Sequence, residues 1–218
     1  MEIQTHLIEN LPVFDMGESL EKIFGFFGDT AFSHVAITEE GRFLGVLAEE
    51  DLGAYDPAKP LEDYRYILEH FFVFKNANWL EVLEVFTRNE TNLMPVLDEE
   101  QKVLGYYELL DILGLLIVTP FFNEPGGILV VAKANKDHSF SEIAQIIESN
   151  NAKLLGAFIT DAQNDLVQTT IKVTADNFND VLQTFRRYNY HILFGTVHDQ
   201  FIEDLKQRSD YLDKYLNV

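Results

Sequence analysis

One stretch of this chain is used twice. Gly45-Val46-Leu47-Ala48-Glu49-Glu50-Asp51-Leu52 returns as Gly105-Tyr106-Tyr107-Glu108-Leu109-Leu110-Asp111-Ile112, with glycines and aspartates both 60 residues apart (105 − 45 and 111 − 51). Read at that offset without a gap, Val13-Phe14 meets Val73-Phe74, Leu20-Glu21 meets Leu80-Glu81, Phe26 meets Phe86 and Glu39-Glu40 meets Glu99-Glu100. A repeat constrains the fold more than any single motif, because both copies must bury the same faces. A copy this small leaves one sheet face uncovered, so two copies packed together are expected.

Each copy reads as strand, helix, strand, turn, strand and helix. Leu20, Ile23, Phe24 and Phe27 fall at i, i+3, i+4 and i+7, one face of an amphipathic helix. Ser33 to Thr38 and Arg42 to Leu47 pair across Glu39-Glu40-Gly41. The second copy has a helix from about Trp79 to Arg88 and a hairpin of Asn92 to Leu97 with Lys102 to Tyr107. Asp56-Pro57-Ala58-Lys59-Pro60 links the copies. Each copy ends by tipping into a helix with an aspartate in its first turn. There a carboxylate can cap free N–H groups against the helix dipole or face a ligand, and the sequence leaves both uses open.

Asn123-Glu124-Pro125-Gly126-Gly127 breaks the chain and starts another pattern. Ile128 to Ala132, Leu154 to Thr160, Leu166 to Thr174 and His191 to Val197 read as strands. Ser139-Phe140-Ser141-Glu142 reads as a capping box before Ile143, Ile146 and Ile147, and Asp176 as the cap of a helix marked by Phe178, Val181, Leu182 and Phe185. The order βαββαβ is the ferredoxin-like plan. Phe201, Leu205, Leu212 and Leu216 form an apolar stripe, expected as a final helix that docks on a partner or on the protein body.

Composition removes several function classes. The chain has no cysteine, which excludes disulfides, thiolate metal sites and thiol nucleophiles. Its formal charge of −20 disfavours naked nucleic acid and anionic membrane surfaces. No stretch has the length and apolarity of a spanning helix, and the start lacks a signal-peptide pattern, so a soluble cytoplasmic protein is expected. The six histidines show no metal-ligand spacing, and no nucleophile, base and oxyanion donor occur at coherent spacing. An enzyme is not expected.

The duplicated unit, with its glycine, apolar pair and closing aspartate, resembles the CBS domain, which normally occurs in pairs (a Bateman module). The second half, through Pro125-Gly126-Gly127-Ile128, resembles an ACT domain. The combination, with Asn123-Glu124-Pro125-Gly126-Gly127-Ile128 and Thr184-Phe185-Arg186-Arg187-Tyr188-Asn189-Tyr190, is similar to the bacterial acetoin-utilisation (AcuB-like) CBS–ACT proteins. The expected fold class is α+β: CBS domains at 1–60 and 61–122, an ACT-like domain at 123–198 and a C-terminal helix at 199–218.

The resemblance implies a non-catalytic regulator that senses an adenosyl ligand. In that family the motif aspartate holds the ribose, which here designates Asp51 and Asp111. A Ser or Thr three residues earlier contacts phosphate, and here those positions are Ala48 and Glu108. The strand step lining the adenine is assigned to Val35 and Pro95. A carboxylate about 4 Å from a phosphate charge costs roughly 1 kcal/mol in water and about 4 at an effective dielectric near 20. The expected ligand is therefore neutral or cationic beyond its adenine (S-adenosylmethionine or adenosine), or a metal-bound AMP or ATP, with no resident metal. The ACT-like half would relay the signal to an unknown protein partner or form a homodimer. Two alternatives stay open: a ligand-free homodimeric interaction module, and an amino-acid sensor acting through the ACT-like half.

Overall fold

A computed structural model describes residues 3–174 and 176–197. The chain divides into two compact units, Met1–Leu116 and Ile117–Val218. The expected helix at 199–218 lies outside the described residues.

In the first unit, β1 (Phe14–Asp15) is followed by α1 (Leu20–Asp29), then β2 (His34–Glu39), β3 (Arg42–Ala48) and the short α2 (Glu49–Leu52). Copy two repeats this with β4 (Val73–Phe74), α3 (Trp79–Arg88), β5 (Leu93–Leu97), β6 (Val103–Glu108) and α4 (Leu109–Ile117). The sheets have the orders β1-β2-β3 and β4-β5-β6, each with a parallel first pair and an antiparallel second pair. Helix α1 buries Leu20, Ile23 and Phe27, and α3 buries Val82 and Phe86. Each such side chain contributes about 1.5–3 kcal/mol. Both copies feed one continuous core.

The repeat is not in one register. Val46 pairs with Ala36 and Tyr106 with Pro95, so the glycine-bearing strands match at 60 while their partners match at 59. Helices α1 and α3 also match at 59, from Leu20 to Trp79. Phe86 is thus the counterpart of Phe27, and the gapless alignment that matched it with Phe26 is wrong for the first half of the copy. The cause is one added residue in the second hairpin: four residues separate the paired Thr38 and Phe43, and five separate Leu97 and Val103.

The copies are joined by reciprocal strand addition. The segment entering copy one pairs with copy two through Ile8 and Tyr106, with N···O distances of 2.9 and 3.0 Å. The segment entering copy two pairs with copy one through Glu69 and Val46, again at 2.9 and 3.0 Å. This is why the motif begins with glycine: a Cβ on Gly45 would lie 2.7 Å from the Glu69 carbonyl oxygen, and one on Gly105 would lie 2.5 Å from that of Ile8. Tyr106, fully buried, donates to Pro12 O at 2.7 Å and accepts from Ala36 N at 3.1 Å. Burial pushes its phenol pKa well above the ordinary value.

In the second unit, α5 (Pro120–Asn123) precedes β7 (Gly127–Ala134), α6 (Phe140–Ser149), β8 (Leu154–Gln163), β9 (Leu166–Val173), α7 (Phe178–Arg187) and β10 (His191–Val197). The antiparallel sheet has the order β10-β7-β9-β8, the ferredoxin-like plan. Ile143, Ile146 and Ile147 of α6 and Phe178, Val181 and Phe185 of α7 pack with Leu129, Val131, Ile171 and Val173 in a second core. Two expected caps differ. Ser139 Oγ does accept from Glu142 N at 3.4 Å, but the Glu142 carboxylate turns to Lys133 and leaves the box half-formed. Asn177 in a left-handed conformation (φ 55°), not Asp176, is the residue before α7.

Candidate functional site

The strand-to-helix corner carries the motif residues. Ala48 precedes α2 and is buried, while Glu49, Glu50 and Asp51 form the first turn, which ends at Leu52. Asp51 is half-buried and Asp111 is exposed. Both carboxylates lie in the first turn of their helices, at the positive end of the helix dipole. The Asp51 charge reaches Tyr55, whose hydroxyl pKa is raised first by burial, then by Tyr66, and less by Asp51.

Three of the other four predicted positions are less accessible. Val35 and Ala48 are fully buried, Pro95 is buried and Glu108 is half-buried. Val35 and Pro95 are also not counterparts. Val35 pairs with Leu47 and its counterpart Met94 with Tyr107, whereas Pro95 corresponds to Ala36. A one-residue slip turns a strand side chain to the opposite face, so the two cannot line equivalent surfaces.

A cavity of about 390 Å³ opens at the same corner between the copies. Copy one contributes Ser33, His34, Glu49 and Glu50. Glu69 comes from the segment entering copy two, and Arg88, Asn89 and Glu90 from the end of α3. None of the six predicted residues lines it, although Glu49 and Glu50 adjoin Asp51. Four carboxylates therefore face one guanidinium, and Arg88 is already bonded to Glu84.

The cavity floor is wired to the seam. His34 is buried, with Nδ1 2.8 Å from Ser33 Oγ and Nε2 3.4 Å from Glu69 Oε1. Ser33 N donates to Asn92 Oδ1 at 2.8 Å, and Asn92 N donates back to Ser33 Oγ at 3.0 Å. Ser33 and Asn92 hold corresponding positions in the two copies: their carbonyls accept from Glu49 N at 2.8 Å and Leu109 N at 3.0 Å. The ring of His34 is thus a satisfied buried group between cavity and seam.

Residues 66–118 match the family model described as CBS domain. This segment is a CBS domain. Copy one is built to the same plan, and the fold of the first unit is a CBS pair. Similar solved structures include a CBS domain pair/ACT domain protein from Thermotoga maritima, at 22% identity over 54% of this chain and 97% of that one, TM-score 0.49. Others are the cytosolic domain of the Mg2+ channel MgtE in complex with ATP (22% identity, 50% and 46% covered, TM-score 0.43) and CBSX2 in complex with AMP (14%, 53% and 96%, TM-score 0.45). No curated protein matches the chain.

Sequence reasoning missed Glu69 and residues 88–90 of the CBS pair. The signal was present only indirectly, as Glu69 lies outside the repeated motif and reaches the site through strand exchange. Among the described residues, no group of three or more His, Asp or Glu side chains is placed to hold a metal ion, and no helix is long and apolar enough to cross a membrane.

The second unit has its own cavity, about 550 Å³, lined by Lys133, Asp137, Glu142, Asn189 and His191 with Ala134 and Leu166. Lys133 Nζ bonds Glu142 and lies 4.3 Å from the Tyr190 ring centre. Burial alone would raise the Glu142 pKa, but the neighbouring Lys133 ammonium outweighs it and holds the carboxyl below its ordinary range. The Tyr190 hydroxyl, buried without hydrogen-bond geometry to a partner, is pushed up by burial and by the Glu142 carboxylate.

Proposed function

We propose that this protein is a non-catalytic regulatory module whose CBS pair senses an adenosyl compound carrying a neutral or cationic group. The observation that supports it is the acid-rimmed cavity walled by both copies. A ligand there touches Glu49 and Glu50 of one copy and Glu69 and Glu90 around the other, so its binding energy depends on how the copies sit. Only a ligand with different affinity for two arrangements can shift between them. In this reading the four carboxylates select a sulfonium or ammonium over a bare polyphosphate, Asp51 beside Glu50 takes a ribose hydroxyl just outside the cavity lining, and Asp111 would serve a separate ligand at the matching corner of copy two. Val35, Ala48 and Pro95 act from beneath the surface as packing, and Glu108 excludes a phosphate. S-adenosylmethionine and adenosine are the favoured occupants, with AMP or ATP admitted as metal complexes. That similar pairs were solved with ATP and AMP is said of those proteins alone.

The ACT-like domain, taken as 123–198, passes the change to a homodimer interface or a protein partner in the cytoplasm, and acetoin utilisation is the pathway the resemblance suggests. One observation favours a second input. The Lys133–Glu142 cavity offers both charge signs within a volume suited to an amino acid, which supports amino-acid sensing by this half.

Thermal-shift measurements decide between these. A ligand at 100 times its dissociation constant stabilises by about 2.7 kcal/mol, which is a shift of several degrees. S-adenosylmethionine or adenosine is expected to give it, with metal-free ATP giving none, and Glu49→Gln/Glu50→Gln is expected to erase that preference. Metal-free ATP binding more tightly than both would sink the reading. A response only to amino acids, lost in Lys133→Met, would transfer sensing to the second unit.

A further inference from the structure

The histidine beneath the acid-rimmed cavity has an apolar counterpart in the other copy. His34 pairs with Ala48 and Leu93 with Glu108, so the two hold matching places. Leu93 is fully buried and His34 is 7% exposed. An apolar side chain therefore meets the packing needs of this place, and what the imidazole adds in copy one is its two nitrogens. Both are engaged, Nδ1 with Ser33 Oγ at 2.8 Å and Nε2 with Glu69 Oε1 at 3.4 Å.

The hydrogens at this seam can be counted. A serine hydroxyl has one hydrogen to give and two lone pairs to receive. Asn92 N takes one lone pair of Ser33 Oγ, at 3.0 Å. The Ser33 hydrogen has three acceptors in reach: His34 Nδ1 at 2.8 Å, Asn92 Oδ1 at 3.0 Å and Thr91 Oγ1 at 3.3 Å. Thr91 returns none, because its own hydrogen goes to Leu93 O at 2.9 Å. Asn92 Nδ2 donates to Ala31 O at 2.8 Å, which holds Oδ1 toward Ser33. A carboxylate only accepts, so Glu69 fixes a hydrogen on His34 Nε2. With the ring neutral, Nδ1 is bare and draws the Ser33 hydrogen, and Asn92 Oδ1 keeps only the bond from Ser33 N at 2.8 Å. With the ring charged, Nδ1 donates to the second lone pair of Ser33 Oγ and the Ser33 hydrogen turns to Asn92 Oδ1. The charged state thus has one more hydrogen bond between the copies.

We propose that His34 is a proton-operated latch on the seam between the copies: on taking a proton it turns the Ser33 hydroxyl from the ring to Asn92 and ties copy one to copy two. A histidine changes charge between about pH 5 and 8. Around the ring stand Glu69 on the segment entering copy two, Glu49 and Glu50 on α2, and Arg88 and Glu90 at the end of α3. The Phe71 ring meets it edge to face, with centres 5.2 Å apart. Arg88 is committed to Glu84, so an imidazolium meets mainly opposite charge. Glu69 also pairs with Val46 through its backbone, so the ring's carboxylate partner belongs to the strand exchange itself. The latch goes beyond ligand selection, since it lets pH set how firmly the two cavity walls are joined.

The ligand-free full chain tests this, so the outcome does not depend on which ligand the cavity takes. Imidazole nitrogen NMR is expected to show His34 with a hydrogen on Nε2 alone at about pH 8 and on both nitrogens at about pH 5. Over the same range the exchange protection of the residue 33 amide, corrected for the intrinsic pH dependence of exchange, is expected to rise several-fold. In His34→Leu, which places the residue of copy two in copy one, it is expected to stay flat. A hydrogen on Nδ1 at the higher pH, or a ring still neutral at the lower, would overturn the proposal. Ser33→Ala separates the relay from charge alone: the ring still takes its proton, and the residue 33 amide no longer responds. A response that survives in Ser33→Ala or in His34→Leu would count equally against the latch.

Discussion

At the scale of single residues, the glycines of the repeated motif are explained by backbone, not by ligand. At Gly45 a methyl group would meet the Glu69 carbonyl oxygen at 2.7 Å, and at Gly105 it would meet that of Ile8 at 2.5 Å with φ at +153°. Neither oxygen can swing aside, because each belongs to the strand that joins the copies. Gly45→Ala and Gly105→Ala are therefore expected to destabilise by about 1–3 kcal/mol each, Gly105→Ala the more. Gly114 lies inside α4 with nothing within 4 Å of an added Cβ, so Gly114→Ala should stabilise by up to about 1 kcal/mol. Urea denaturation of the three variants measures all of this, and equal effects at the three sites would refute the close-approach account.

At the scale of elements, what the sequence revealed follows from what periodicity can report. The buried faces of α1 and α3, the two hairpins and the βαββαβ order were legible, because burial repeats at 3.6 or 2 residues. Strand register was not, since one added residue beyond Leu97 leaves every local pattern intact while shifting the copy alignment from 60 to 59. That slip misassigned Pro95 as the partner of Val35. The cavity was only half legible: Glu49 and Glu50 sit in the motif, but Glu69 and Glu90 arrive from separate segments that no local pattern links. The corrected alignment also makes Ser19 and Asn78 counterparts before α1 and α3. Asn78 Oδ1 accepts from Leu80 N and Asn78 N donates to Glu81 Oε2, both at 2.9 Å, whereas Ser19 makes no cap bond. Asn78→Ala is expected to cost about 1 kcal/mol, and Ser19→Ala much less. Comparison of their urea midpoints checks this difference in capping, and equal losses would contradict it.

At the scale of the whole molecule, charge is divided very unequally between two cores. Residues 1–116 carry 7 basic and 23 acidic side chains, a net of −16, and residues 117–218 carry 9 and 13, a net of −4. The first unit thus folds against its own repulsion, and much of that charge is exposed at the turns and at the cavity rim. Self-repulsion among exposed charges is screened once their spacing exceeds the Debye length, about 10 Å at 0.1 M salt and about 3 Å at 1 M. Salt should therefore stabilise the CBS pair and leave the second unit nearly unmoved. The two melts can be told apart because Trp79, the sole tryptophan, lies in α3 of the first unit. Raising sodium chloride from about 0.05 to about 0.5 M is expected to move the Trp79 fluorescence melt up by several degrees, since roughly 1 kcal/mol is worth about 4 °C or more in a domain near 100 residues. A calorimetric transition that Trp79 does not report should stay within about a degree, because a net of −4 gives screening little to relieve. A Trp79 melt that fell with salt would mean that attractive pairs such as Arg65–Glu39, at 2.6 Å, outweigh the repulsion. The carboxylate rim would then lose its standing as the force that selects a cationic ligand.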